Sequence, residues 1–231
     1  QKTLLMKLDI LVFGAHPDDV ELGCAGTVIK EVQAGKKVGI IDLTRGELGT
    51  RGTAESRDSE TKAATEIMGV AIRENMNFKD GFFKDDEEHK IAIIKKIRKY
   101  RPEIVITNAV SDRHPDHPRG SQITVDSCFL AGLEKVVTGQ EVWRPKAIYH
   151  YIQFNNIAPD IVVNISEQMD LKLEAVKAYK TQFFNPNSDE SETIISSEGF
   201  LESVSYRAKD LGRQANCEYA EGFVVHQLPK I

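Results

Sequence analysis

A chain of 231 residues, 41% hydrophobic and 28% charged, carries enough apolar surface for one large globular core, which excludes a disordered or collagen-like chain. Its formal net charge of -5 offers no general attraction to nucleic acid or to an anionic membrane. No apolar run approaches the ~20 residues needed to span a bilayer.

The start of the chain has no signal-peptide architecture, and the expectation is that Met6 is the natural initiator, with residues 1–5 a disordered extension. Residues 8–15 read as a buried strand. Residues 20–33 read as a helix in which Gly23, Ala25 and Gly26 allow close packing, and 37–44 as a second strand. A loop punctuated by Gly46, Gly49 and Gly52 leads to a helix over 53–68 and a short strand over 75–78. The helix predicted over 87–101 has Ile91, Ile94 and Ile97 on one face and is ended by Pro102. A strand over 103–109 precedes a helix over 118–132, where Pro118 suits the first turn. Strands follow at 147–153 and 161–165, then a long helix capped by Ser166 and running to 183. The polar turn formers of 185–199 read as a mobile loop, and a helix over 200–215 and a strand over 218–227 close the chain.

Alternation of this kind predicts an α/β fold: a single domain over 1–231, Rossmann-like and doubly wound, with a mostly parallel sheet and helices on both faces. In strand order 3-2-1-4-5 the first and fourth strands are neighbours, and ligands bind beyond their carboxyl ends. Both positions carry a cluster. His16-Pro17-Asp18-Asp19 follows the first strand, and Arg113-His114-Pro115-Asp116-His117 follows the fourth. Either alone also reads as a helix entry or a proline turn; together they point to one metal site.

His16 and Asp19, three apart, can face one pocket, and His117 is the natural third ligand. Three protein ligands leave a position open, as in catalytic zinc sites, so one Zn2+ per chain is expected. Asp18, adjacent to a ligand but free to face elsewhere, is the candidate general base. His114 can stabilise a developing oxyanion as imidazolium, with Asp116 holding its ring and raising its pKa. Arg45, Arg51 and Arg57 surround the glycine loop, and a planar guanidinium suits carboxylate or phosphate; Arg57 is the expected substrate contact. The glycines form neither G-x-G-x-x-G nor a P-loop, which disfavours a nucleotide cofactor.

His89 reads as solvated, His150 as a hydrogen-bonded sheet residue and His226 as peripheral. Cys24, Cys128 and Cys217 are odd in number and lack C-x-x-C spacing, which fits free thiols in a reducing cytoplasm. Cys24 reads as a small buried helix residue.

Ala15-His16-Pro17-Asp18-Asp19-Val20-Glu21, with Gly26-Thr27 and His114-Pro115-Asp116-His117, resembles the LmbE-like (PIG-L) family of zinc-dependent N-deacetylases. The Arg57 position and Tyr219-Ala220-Glu221-Gly222-Phe223 look most like its bacillithiol-biosynthesis branch, which removes acetyl from N-acetylglucosaminyl malate. The resemblance implies His16, Asp19 and His117 as zinc ligands, Asp18 as base, His114 as oxyanion stabiliser and Arg57 as substrate contact. It also implies a homo-oligomer, often a hexamer, acting on a small N-acetyl amino sugar. Deacetylation of another conjugate, such as a chitooligosaccharide, stands beside it. Two other classes stay open: a metal-dependent phosphoesterase, which commonly needs a second metal and more carboxylates, and a non-catalytic sugar-binding module, which has no need of Asp18.

Overall fold

The computed structural model describes residues 6–227, so the expectation for residues 1–5 lies outside the described residues. The first five strands alternate with helices: β1 (Ile10–Gly14), α1 (Asp19–Gln33), β2 (Val38–Thr44), α2 (Ala54–Met68), β3 (Ile72–Phe78), α3 (Glu87–Tyr100), β4 (Ile104–Thr107), α4 (Asp116–Ala131) and β5 (Ala147–Tyr151). β6 (Ile161–Asn164), α5 (Met169–Lys177), α6 (Phe200–Gln214) and β7 (Ala220–Val225) complete the chain. The sheet runs β3-β2-β1-β4-β5-β7-β6. Its first five strands are parallel and follow the expected order, while β7 is antiparallel to both β5 and β6.

β1 and β2 are buried along their whole length, which explains their near-continuous apolar sequences: both faces of a parallel sheet are covered. Side chains alternate between the faces. Leu11, Phe13, Ile41 and Leu43 pack with Ile93, Ile94 and Ile97 of α3 and Ile123 of α4. Ile10, Val12 and Ile40 pack on the other side with Val20 and Val28 of α1, Met68 of α2 and Ala175 of α5. Among the described residues no helix is long and apolar enough to cross a membrane, and all three cysteines are free.

Local chemistry sets the boundaries. Thr53 and Ser56 form a capping box at the start of α2, which Gly69 ends at φ 67°. Asp86 caps α3, and Arg101 turns left-handed before Pro102. β3 begins at Ile72, earlier than the expected 75, because Gly39–Asp42 of β2 pair with Ile72–Asn75. α4 begins at Asp116, so Pro118 sits inside its first turn.

The expected helix over 166–183 is corrected. Ser166 does not cap it: its hydroxyl donates to Asn164 Oδ1 (2.7 Å) and accepts from the Glu218 (3.2 Å) and Tyr219 (3.1 Å) N–H groups, tying β6 to the entry of β7. α5 stops at Lys177 because the chain beyond it makes side-chain bonds instead. Tyr179 Oη donates to Glu21 (3.0 Å), and the Thr181 N–H donates to Glu60 (2.7 Å).

α1 contains a break that positions the site. Cys24, buried as expected, has φ -151° and ψ 21°, outside helical values. The backbone groups freed there find side chains: the Leu22 carbonyl accepts from Lys172 Nζ (2.9 Å), and the Glu221 carboxylate accepts from the Gly26 and Thr27 N–H groups (2.9 and 2.7 Å). Lys172 and Glu221 are themselves a buried ion pair at 2.6 Å. Gly23 is required at this bend, since a Cβ there would overlap the ring of Tyr151. The first turns of α1 are thereby locked beneath the carboxyl end of β1.

Candidate active site

A cleft of about 790 Å³ opens at the carboxyl ends of β1 and β4, and both clusters line it. The parallel pairing of β1 with β4 makes them neighbours across about a hundred residues of sequence.

Asp19, at the first residue of α1, is the hub. Its Oδ2 accepts from the His16 N–H (2.9 Å) and Asn108 Nδ2 (3.0 Å), and its Oδ1 accepts from Gln153 Nε2 (2.6 Å). The same carboxylate lies 3.5 Å from His16 Nδ1 and 3.2 Å from His117 Nε2. The three residues expected as ligands therefore meet. His114 joins them: one ring nitrogen from each of His16, His114 and His117 lies within 4.8 Å of the others.

Each histidine flanking Asp19 has a carboxylate behind it. His16 Nε2 faces Asp80 at 3.1 Å and Asp116 at 3.3 Å, and His117 Nδ1 faces Asp112 at 3.1 Å. Metal-binding histidines are commonly oriented through their second nitrogen in this way, and two or three imidazoles with one carboxylate is a donor set that zinc accepts. The residues present fit a divalent ion.

The electrostatics follow from burial and these contacts. Burial opposes charge on Asp19, yet His117 and His16 hold its carboxyl well below the ordinary range. Burial likewise opposes charge on His117, but Asp19 and Asp112 lift it to about 9. Burial pushes Asp18 up to about 7, with Arg57 pulling down and Asp19 pushing further up. Asp18 also holds a backbone of φ 106°, a strained left-handed conformation for a residue with a side chain. That strain sits at the helix entry where His16, Asp18 and Asp19 must diverge.

The expectation for Asp116 and His114 is corrected here. Asp116 does not hold the His114 ring with its carboxylate, which accepts from the Gly81 N–H (2.8 Å) and Arg119 Nη1 (2.5 Å) besides facing His16. Only the Asp116 N–H reaches His114, at Nδ1 (3.3 Å). Nor is His114 raised: burial depresses its pKa, the neighbouring His16 and His117 add to that, and the pull of Asp116 does not offset them. An imidazole whose Nδ1 accepts carries its proton on Nε2, so His114 is a neutral donor.

Arg57, expected as a substrate contact, lines the same cleft. Its side chain is buried in the first turn of α2, and Nη1 donates to the Pro17 carbonyl (2.8 Å) and to Asp18 Oδ2 (3.2 Å). Gly46 and Gly49 explain themselves here, since a Cβ at either would stand 3.0–3.1 Å from that guanidinium. Arg57 lines the cleft as a partner of Asp18 and not as a free cation. Arg45 pairs with Asp58 on the surface (2.6 Å), and the buried Arg51 lies 3.6 Å from Glu190.

The remaining histidines stand apart from the clusters. His89 is half-buried, not solvated: it bonds Asp86 (2.7 Å) and sits against the Phe78 ring. His150 is buried beside Ser121 Oγ (2.8 Å), and His226 is exposed.

Asp80, Asp112, Asn108 and Gln153 were not expected. Asp80 stands in a Lys79-Asp80-Gly81 turn after β3, and Asp112 directly precedes the second cluster, so a carboxylate at a strand exit was the available signal. The segment 185–199 has structure of its own. Thr193 and Ser196 cap a 3-10 turn at Ile194–Ser196, and Ile194 and Ile195 form one wall of the cleft with Phe200 and Val204 of α6.

Residues 11–128, just over half of the chain, match the PIG-L family, described as GlcNAc-PI de-N-acetylase. The diacetylchitobiose deacetylase of Thermococcus kodakarensis is 30% identical over 189 residues, 75% of this chain and 70% of that protein. A "probable N-acetyl-alpha-D-glucosaminyl L-malate deacetylase 2" of Bacillus anthracis is 31% identical over 196 residues, 75% of this chain and 81% of its own. Among solved structures, a conserved protein from Thermus thermophilus superimposes with a TM-score of 0.89 at 35% identity, over 97% of each chain.

Proposed function

The chain belongs to the PIG-L, or LmbE-like, family of de-N-acetylases, and from that premise we propose that it hydrolyses the acetamide of a small N-acetylglucosamine conjugate. The observation that carries this reading is the convergence of His16, Asp19 and His117 beside a buried Asp18 at the floor of one cleft. N-acetylglucosaminyl L-malate, the substrate class in the name of the Bacillus anthracis relative, is the specific substrate we propose, which puts the enzyme in bacillithiol biosynthesis. Diacetylchitobiose-like sugars are the alternative.

His16, Asp19 and His117 would hold one zinc ion, which when bound supplies Lewis acidity toward an acyl oxygen and toward water. Asp18 takes a proton from the attacking water as the new C–O bond forms. Its carboxyl, lifted to about 7, is poised for that transfer near neutral pH. Arg57 favours the ionised form of Asp18 and fixes its direction through a hydrogen bond of 3.2 Å. The neutral His114, protonated at Nε2, donates to the developing oxyanion. As the C–N bond breaks, Asp18 returns its proton to the departing amine, leaving acetate and a free amino sugar.

Asp80 and Asp116 bring to His16 the extra carboxylates that a two-metal phosphoesterase needs. Both are already engaged by backbone N–H groups, of Leu48 and Gly81, which favours a supporting role behind His16. A homo-oligomer, hexameric by the family resemblance, and a cytoplasmic setting belong to the same reading; sedimentation equilibrium measures the first.

The test is acetate release from a panel: N-acetylglucosaminyl malate, diacetylchitobiose and N-acetylglucosamine, each with zinc-loaded protein. Release from the panel, fastest with the malate conjugate, is expected. No release from any member refutes the deacetylase, and faster turnover of diacetylchitobiose refutes the malate assignment alone.

A further inference from the structure

With Arg57 committed to Asp18, recognition of an acidic substrate needs another cation, and the cleft holds two. Arg113, in the loop after β4, lies over the ring of Phe154 at 4.8 Å. Arg207, on α6, donates from Nη2 to the Phe154 carbonyl at 2.8 Å. Both line the cleft, and neither has a carboxylate within ion-pair distance among the described residues. The floor below them differs: every carboxylate there faces a histidine, an arginine or an N–H donor.

Arg207 is half-buried, and burial pushes its pKa down; Asp112 is the charge that offsets it. That carboxylate is already shared between His117 Nδ1 and the Phe154 N–H, each at 3.1 Å. A desolvated guanidinium with so little compensation is unfavourable unless an anion completes it. Phe154 holds both cations by different means, the ring for Arg113 and the carbonyl for Arg207. Planar guanidinium groups bind carboxylate or phosphate oxygens through paired N–H donors.

We propose that Arg207 and Arg113, set by Phe154, form the subsite for an anionic group on the aglycone attached to the amino sugar. The proposal rests on the deacetylase reading and supplies its specificity. Arg207 is the principal contact because it is the more buried of the two. The shared chemistry is an oxyanion, from a carboxylate or from a phosphate.

The experiment compares three substrates with zinc-loaded protein: N-acetylglucosaminyl malate, N-acetylglucosamine 1-phosphate and the neutral methyl N-acetylglucosaminide. In Arg207→Gln, which retains an amide donor for the Phe154 carbonyl, the acidic-to-neutral ratio of kcat/KM should fall roughly tenfold or more, through KM. Arg207→Lys should recover part of it, and Arg113→Ala should lose less, since its cation is exposed. Whichever acidic substrate loses more identifies carboxylate or phosphate as the natural group. An unchanged ratio in Arg207→Gln, or a wild-type enzyme with no preference for either acidic substrate, overturns the subsite and leaves the deacetylase standing. If no substrate releases acetate, the deacetylase reading falls instead; calorimetric Kd values for the same conjugates then decide the subsite by the same ratio.

Discussion

Asp18 carries three unusual properties at once: left-handed backbone, near-complete burial and a guanidinium partner. Replacing it with Asn keeps its shape and removes its basicity. Zinc content should stay at the wild-type level while kcat falls by roughly 10²–10⁴, the range for a lost general base; an unchanged kcat in zinc-loaded protein would remove Asp18 from the mechanism. The pH profile tests its partner. A base must be ionised to act, so activity should decline as pH drops below about 7. Arg57 favours the ionised form, so Arg57→Gln should raise the Asp18 pKa and move the acid limb to higher pH. A limb that stays in place would show that Asp18 does not set it. These two residues mark what a sequence can and cannot yield at this scale. Asp18 is legible because it stands beside Asp19, a proposed ligand, in the His16-Pro17-Asp18-Asp19 motif. The pairing of Arg57 with Asp18 is not legible, since it depends on how α2 packs against the loop after β1.

Among the elements, α1 shows how a local break is stabilised by distant residues. Small residues near its middle are visible in the sequence, but the kink at Cys24 is not, because its compensation comes from Lys172 on α5 and Glu221 on β7. Removing one member of such a buried pair leaves the other charge uncompensated, so Lys172→Met should destabilise the fold by ~3–5 kcal/mol. Urea unfolding measures this, and a loss below ~1 kcal/mol would mean that the pair is replaceable by packing. α5 itself was expected to continue to 183, an error with the same origin. Tyr179 and Thr181 leave the helix to bond Glu21 and Glu60, partners over a hundred residues earlier in the chain. Periodicity registers an amphipathic face, not a distant acceptor.

For the molecule as a whole, strand order converts two sequence clusters into one site. The parallel β3-β2-β1-β4-β5 portion was legible because β1, β2 and most of β4 are short buried runs and each of the first four strands is followed by a helix. The antiparallel β7-β6 edge was not, since pairing of β7 with both β5 and β6 leaves no local mark. The site divides along the same line. His16, Asp19, His114 and His117 come in motifs, whereas Asp80, Gln153 and Arg207 arrive singly from the loops after β3 and β5 and from α6 and carry no spacing to read. The proposed function requires that the two clusters form one zinc-dependent deacetylase centre. It is tested most directly by titrating zinc into chelator-stripped protein while recording acetate release from N-acetylglucosaminyl malate, in wild type and in His117→Ala. Wild-type activity should rise linearly and break at one ion per chain, while His117→Ala should neither retain the ion nor release acetate. Activity in the stripped protein equal to that of the loaded one, or full zinc occupancy in His117→Ala, would contradict it.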